Sequence, residues 1–402
     1  MPVYFILIVP FFVDRALHAI TWLAIIPIAM KKRLYEIDVL RFFAALFVVF
    51  FHYTKSVFNE YGFYLLQNEG INRFLEHGFL GVNLFFIISG FVILMSSQGV
   101  SASKFLKTRA IRLYPAFIPI CLLTFICARI FMPEYSVSVK ELLMNVSLVG
   151  TVSVWFNGKL VSGVYWTLLV EIQFYFMIYL LIYFKKLTYI RTFLIAWLAC
   201  SLLINLGQSY FTHNALLHKL SLAFVAEYSY YFIAGCYFYL IKYDRKKGDL
   251  VMPLLCMFVA VTCSKLHLYN TAFDLAGSVI IAVFFGVFYF ISLRDIRYSS
   301  NFQFIEKMGN ITYPLYLIHE TLGLILIGKW KNYMPAPLLM CVTAILMISI
   351  AYLSYLYIEK PVMKKLKDLL FAQRRWQAEK QEPLQAMIVE QISTQHGERQ
   401  LN

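Results

Sequence analysis

Arg41 and His52 lie eleven residues apart inside one apolar run, residues 37–53 (IDVLRFFAALFVVFFHY). Eleven residues make about three helical turns, so both side chains project from one helix face, roughly 16 Å apart along the axis. A charged residue at the centre of a bilayer costs about 2.5–3.5 kcal/mol even on insertion scales, so such a pair marks a functional site by default. Imidazole exchanges protons near neutral pH, and guanidinium binds phosphate or carboxylate oxygens in a fork.

Other side chains invite the same question. Asp38 precedes Arg41 by three residues, so the two can pair or face a common ligand. The run at 78–93 (GFLGVNLFFIISGFVI) carries Gly81, Ser89 and Gly90, small residues that permit close helix approach or supply a hydroxyl. In FLKTRAIRLYP (105–115), Arg109 and Arg112 present two guanidinium forks from one face at a membrane boundary, a geometry suited to phosphate. In YWTLLVEIQFY (165–175), Trp166 is placed at the membrane interface and Glu171 roughly 9 Å deeper. There Glu171 could serve as an acid or orient the His52 imidazole. In GNITYPLYLIHE (309–320), Tyr316, His319 and Glu320 fall at i, i+3 and i+4 on one face. No second ligand group has metal spacing, so no metal is expected there. Glu359, in the closing IEKP (358–361), is expected to pair with a basic neighbour.

Positioning these groups falls to long apolar segments. The chain has 402 residues, 60% hydrophobic and 14% charged, with a mean hydropathy of +0.68. Soluble domains carry about 25% charged residues, so the composition predicts an all-α polytopic membrane protein. Runs long enough to cross a bilayer fall at 37–53, 79–96, 113–131, 165–184, 190–207, 221–241, 250–264, 272–293, 311–328 and 337–358. About ten transmembrane helices follow, the seventh the least secure. The formal charge of +14 does not indicate nucleic acid, because the basic residues gather in alternate connections between the runs. Lys104, Lys107, Arg109 and Arg112 form one such group, Lys242, Arg245, Lys246 and Lys247 another, and Lys360, Lys364, Lys365 and Lys367 a third. The positive-inside rule puts these connections, and both ends of the core, in the cytoplasm. The seven cysteines lie in or beside apolar runs with no C-x-x-C, which reads as free thiols rather than a disulfide framework or zinc site.

The organisation expected is an apolar extension at 1–30, a ten-span domain at 31–370 and a polar cytoplasmic tail at 371–402. Two readings of the extension stand open: an additional helix interrupted by Asp14, Arg15 and His18, or a start at Met30, where Met-Lys-Lys-Arg precedes the first run. The longest external connection, 132–164, contains a short apolar stretch at 142–155 that could roof a cavity.

These segments, in this order, resemble the acyltransferase-three family of bacterial membrane proteins; the likeness rests on the six quoted motifs and spans residues 33 to about 367. The resemblance implies transfer of an acetyl or other short acyl group from acyl-coenzyme A to a hydroxyl of surface polysaccharide, lipopolysaccharide or a related glycan. It implies location in the bacterial cytoplasmic (inner) membrane, with acetyl-CoA as donor substrate and no permanently bound cofactor. His52 matches the family's essential histidine, Arg41 the basic residue below it, and Arg109 and Arg112 the R-x-x-R pair. Some relatives carry a soluble esterase-like domain after the last span, and here only the polar tail follows.

The site expected from both lines pairs catalytic His52 and Glu171 with acyl-CoA-binding Arg41, Arg109 and Arg112. Asp38, Ser89, Trp166, Tyr316 and His319 then support or hold the acceptor, Tyr316 or His319 binding it or stabilising the thioester oxyanion. A continuous polar seam is expected to join the arginines to the imidazole. The competing reading is a transporter or flippase for a lipid-linked sugar, against which stands the lack of an inverted repeat or matching Gly/Pro-broken spans. A non-catalytic scaffold is disfavoured by the ionisable groups within the runs.

Overall fold

Chain that crosses hydrocarbon must close its backbone hydrogen bonds internally, and the apolar runs do so as helices. The computed structural model describes residues 33–135, 137–148, 158–211, 214–267, 275–294 and 302–371. The chain forms two units, Met1–Glu36, of which only residues 33–36 are described, and Ile37–Asn402. The extension at 1–30 and the tail beyond Phe371 lie outside the described residues, as does the 149–157 portion of the expected roof.

All regular structure among the described residues is helical. In chain order the helices are α1 (Tyr35–Tyr61), α2 (Glu69–Ser97), α3 (Ala102–Phe131), α4 (Val139–Ser147), α5 (Gly163–Tyr183) and α6 (Leu187–Tyr210). They continue as α7 (Ala215–Ala223), α8 (Ser229–Tyr243), α9 (Val251–His267), α10 (Leu275–Leu293), α11 (Gln303–Trp330) and α12 (Ala336–Phe371). Among the described residues eight are long and apolar enough to cross a membrane, namely α1, α2, α3, α5, α6, α10, α11 and α12. Large apolar side chains such as Leu203, Phe258, Phe290 and Ile345 point outward and are more than half exposed, as they would be toward lipid. The protein is a polytopic membrane protein.

Two of the ten expected runs differ from prediction. The run at 221–241 is not one helix: α7 stops at Ala223, Val225 takes a left-handed φ of 53°, and α8 restarts at Ser229 for only 15 residues. The break is stable because its polar groups are met. Phe224 and Ala226 N–H donate to the Leu220 and Ser221 carbonyls at 2.9 and 2.8 Å. The carbonyls of Phe224 and Ala226 accept from Trp197 Nε1 at 2.7 Å and Asn205 Nδ2 at 3.1 Å, both from α6. The seventh run, α9, has 17 residues. Six of the seven thiols are free among the described residues, although Cys200 and Cys341 face outward instead of into the core.

Close backbone approach holds the bundle together. A β-carbon on Gly90 would strike the Phe232 carbonyl, and one on Gly235 the Ile87 carbonyl, so α2 and α8 touch through their main chains. Between α1 and α11, Gly309 receives Asp38, Gly323 receives Tyr53 and Gly328 receives Tyr61. The rising order on both helices makes them parallel. Tyr53 Oη donates to the His319 carbonyl at 3.1 Å and Tyr61 Oη to the Leu324 carbonyl at 2.9 Å, fixing the register. Helix ends are closed in the same economical way. Lys242 Nζ, buried rather than snorkelling, donates to the Ile291 and Arg294 carbonyls at 2.8 Å and caps α10.

Ser138 and Glu141 form a capping box at α4, and the Glu141 carboxylate accepts from the main-chain N–H of Ser138 at 2.7 Å and of Lys159 at 3.1 Å. The Ser138 N–H, then that of Lys159, hold this exposed carboxyl below its ordinary range. A lowered folded pKa contributes order above the ordinary carboxylate value and loses it as pH falls through the lowered one. Protection of the Lys159 amide from hydrogen exchange, measured against its intrinsic rate at each pH, should therefore be present at neutral pH and lost as Glu141 protonates below the ordinary carboxylate range, while protection in α2 and α8 stays unchanged. Replacing Gly235 by Val should prise α2 from α8 at a cost of about 1–3 kcal/mol, seen as a lower melting temperature of the detergent-solubilised protein. An unchanged melt would show that the contact is not tight.

Candidate active site

Six helices, α1, α2, α3, α5, α11 and α12, line a cavity of about 420 Å³, within the range of small-molecule pockets. Arg41, Ser89, Arg109, Arg112, Glu171 and Tyr316 all line it. Ser89 Oγ donates to Glu171 Oε1 at 2.5 Å, linking α2 to α5. The Arg109 guanidinium stands between the rings of Phe105 and Tyr175, 5.6 and 5.8 Å from their centroids, and its buried Nε has no partner among the described residues. Arg112 differs: its Nη1 donates to Glu359 Oε1 at 2.6 Å, and Glu359 is wholly buried. A π-helical turn, Tyr355–Glu359, presents that carboxylate inward, a distortion common at functional positions. With Lys367 also on the wall, the lining cations outnumber Glu171 and Glu359, so the cavity favours an anion.

One turn further along α11 a second cluster forms. His52 begins a π-helical turn, His52–Ser56, and its Nδ1 lies 2.9 Å from Ser56 Oγ and 3.7 Å from Glu320 Oε1. Glu320 is held from the other side, where Oε2 accepts from Ser162 Oγ at 2.7 Å and from the Val164 N–H at 3.0 Å. Gly163 permits this: a β-carbon there would lie 2.6 Å from Glu320 Oε1. The His52 ring packs on that of His319 with centroids 5.1 Å apart and planes at 61°. Tyr316, on the preceding turn, lies 5.6 Å from His319 and lines the arginine cavity, so it stands between the two clusters. Its hydroxyl lies 2.9 Å from Thr167 Oγ1, which donates to the Val164 carbonyl at 2.9 Å.

The structure thus gathers Arg41, Ser89, Arg109, Arg112, Glu171 and Tyr316 around one space, with His52 and His319 a turn beyond. Asp38 is buried against Gly309 beneath Arg41. Trp166 packs against Tyr228 and Phe86, ring centroids 5.2 and 6.2 Å away. Three expectations change. Glu171 does not orient His52, because it is engaged by Ser89 on the cavity wall, and the carboxylate facing the imidazole is Glu320. The polar seam is not open throughout, since Tyr316 and Thr167 partition it and His52 does not line the cavity. His319 cannot stabilise an oxyanion as a neutral ring, because its one N–H is taken by the Tyr316 carbonyl at 2.8 Å. Ser162, Thr167 and Tyr175 carried no signal in sequence. Glu320 did, through its place beside His319, but only tertiary contact tells which histidine it serves.

The two arginines should respond differently to removal. Arg112→Ala strands the buried Glu359 carboxylate, a loss of about 3–5 kcal/mol, whereas Arg109→Ala strands no carboxylate. Arg112→Met with Glu359→Met should regain most of the stability lost by Arg112→Ala alone. Thermal melts of the four purified proteins measure this, and equal melts for Arg109→Ala and Arg112→Ala would refute the asymmetry.

Comparison with known proteins accords with this arrangement. The acyltransferase domain family matches residues 34–356, which takes in both clusters apart from Glu359 and Lys367. The O-acetyltransferase OatA of Staphylococcus aureus, in strains NCTC 8325 / PS 47 and COL alike, is 24% identical over 374 residues, covering 82% of this chain and 57% of the relative. The chain thus spans little more than half the length of those curated relatives. No solved structure matches it. On the family match, which takes in most of its length and the helices that carry the arginine cavity and the histidine pair, the chain belongs to the acyltransferase-three family.

Proposed function

We propose that the protein is an O-acyltransferase of the bacterial inner membrane that moves an acetyl or similar short acyl group from cytoplasmic acyl-CoA to a hydroxyl of a cell-surface glycan or its lipid-linked precursor. The observation that carries this reading is the layout: a cation-rich cavity along the first half of α11 and, one turn further on, an imidazole with a carboxylate 3.7 Å away. An anionic donor and a proton acceptor are the two things acyl transfer from a coenzyme A thioester to an alcohol requires.

The arginine end lies in the cytoplasm, where acyl-CoA is made and where the basic connections cluster. Arg109, with no carboxylate partner, takes the coenzyme A phosphates together with Arg41, and Arg112 adds the guanidinium nitrogens that Glu359 leaves free. The pantetheine arm runs along the cavity past Ser89 and Glu171, bringing the thioester to Tyr316. There the acceptor oxygen attacks the thioester carbon, the C–O bond forms and the C–S bond breaks. His52 takes the hydroxyl proton and returns it to the departing thiolate, so no charge accumulates. Ser56 Oγ takes the Nδ1–H of His52 at 2.9 Å, leaving Nε2 as the base, and Glu320, 3.7 Å from Nδ1, steadies the imidazolium.

His52→Ala should abolish acylation of surface glycans, read as loss of the acyl mass increment, while acetyl-CoA still binds the purified protein in nanodiscs. Arg109→Ala should weaken that binding about ten- to hundredfold, the value of a charge-assisted hydrogen bond. Acylation retained by His52→Ala, or binding untouched by Arg109→Ala, would overturn the assignment.

A further inference from the structure

His319 sits beside His52 with no job in the scheme above, and its hydrogen bonds define its chemistry. Its Nδ1 lies 2.8 Å from the Tyr316 carbonyl and 3.3 Å from that of Leu315. A carbonyl only accepts, so Nδ1 carries the proton and the neutral ring keeps a bare lone pair on Nε2. The ring is fully buried, and Nε2 has no partner among the described residues. Buried polar atoms are almost always satisfied, and an orphan lone pair in a reaction site is satisfied when a donor arrives. Arrival is past His52, whose side chain retains 13% of its surface. The neighbouring polar groups do not supply a donor: Glu320 is a carboxylate held by Ser162 and Val164, and the Tyr53 hydroxyl is spent on the His319 carbonyl.

We propose that His319 is an acceptor-binding residue whose Nε2 takes a hydrogen bond from a second hydroxyl of the sugar, next to the one that His52 deprotonates. The inference rests on the acyltransferase reading and deepens it. Two imidazoles packed ring to ring offer adjacent acceptor nitrogens, which suits a carbohydrate bearing neighbouring hydroxyls better than an isolated alcohol. His52 then performs the proton transfer, and His319 selects which hydroxyl is presented. The main chain locks its tautomer, so the second site remains an acceptor and does not compete for the reacting proton.

Two substitutions separate this role from a structural one. His319→Asn keeps an amide N–H where Nδ1 stands, preserving the bond to the Tyr316 carbonyl, and leaves nothing at Nε2. His319→Gln reaches the Nε2 position with an acceptor oxygen and gives up the Nδ1 bond. Each is expressed in a strain lacking the gene, surface-glycan acylation is read by mass spectrometry, and acetyl-CoA binding by the purified variants confirms that the arginine cavity is intact. Acylation by His319→Gln should exceed that by His319→Asn by about tenfold or more, the value of one hydrogen bond to a buried acceptor. The reverse order, equal loss in both, or full activity in both would overturn the proposal. Absence of acylation by the unsubstituted protein would instead count against the acyltransferase reading itself. A second measurement needs no variant to be active: ¹⁵N spectra of histidine-labelled protein should show a buried ring protonated at Nδ1 alone. A ring protonated at Nε2 would refute the tautomer and the proposal with it.

Discussion

Inside a hydrocarbon layer a polar group has only the protein to bond with, and that constraint explains where nearly every functional side chain of this chain is found. Glu359 is wholly buried and is met by Arg112. Glu171 is met by Ser89, and Glu320 by Ser162 and the Val164 amide. Each pairing crosses between helices, so satisfying a charge also fixes how the bundle packs. Arg109 Nε, beside the cavity, and His319 Nε2, beside His52, are among the buried polar atoms without such a partner among the described residues.

Close packing serves the same end. Glycines on α2 and α8 let the two backbones touch, and glycines on α11 accept Asp38, Tyr53 and Tyr61 from α1. The parallel α1–α11 pair is the spine of the site. It carries Arg41 at one end and His52 and His319 at the other, with Tyr316 dividing them. The two π-helical turns fall where this spine and its neighbour must redirect a side chain, at His52 and at Glu359. A regular α-helical register would turn both groups to another face.

Such an arrangement suits a reaction whose two substrates approach from opposite sides. Guanidinium groups, suited to an anion, gather on one side, and the imidazole with its neighbouring carboxylate lies on the other. The Tyr316–Thr167 contact stands between them.

Much of this was legible in the order of residues. Apolar run length set the helices, because spanning hydrocarbon demands about twenty apolar residues whatever the neighbours are. The costly charges in those runs singled out Arg41, His52 and Glu171, because lipid tolerates them only at a protected site, and guanidinium spacing at the membrane boundary singled out Arg109 and Arg112. Partners were not legible. Whether Glu171 meets His52 or Ser89 depends on helix rotation and on which helix lies adjacent. Glu320, in the middle of its span, and Glu359, just past the last, were visible as carboxylates, but their choice of His52 and Arg112 joins residues 268 and 247 positions apart. The break after α7 escaped notice too, because a left-handed Val225 is stabilised by Trp197 and Asn205 from another helix. The sequence by itself determined which segments enter the membrane and which charges they carry, since solvation acts on each residue separately. Only the tertiary structure decided which charge answers which, since a hydrogen bond depends on two helices being placed within 3 Å or so of each other.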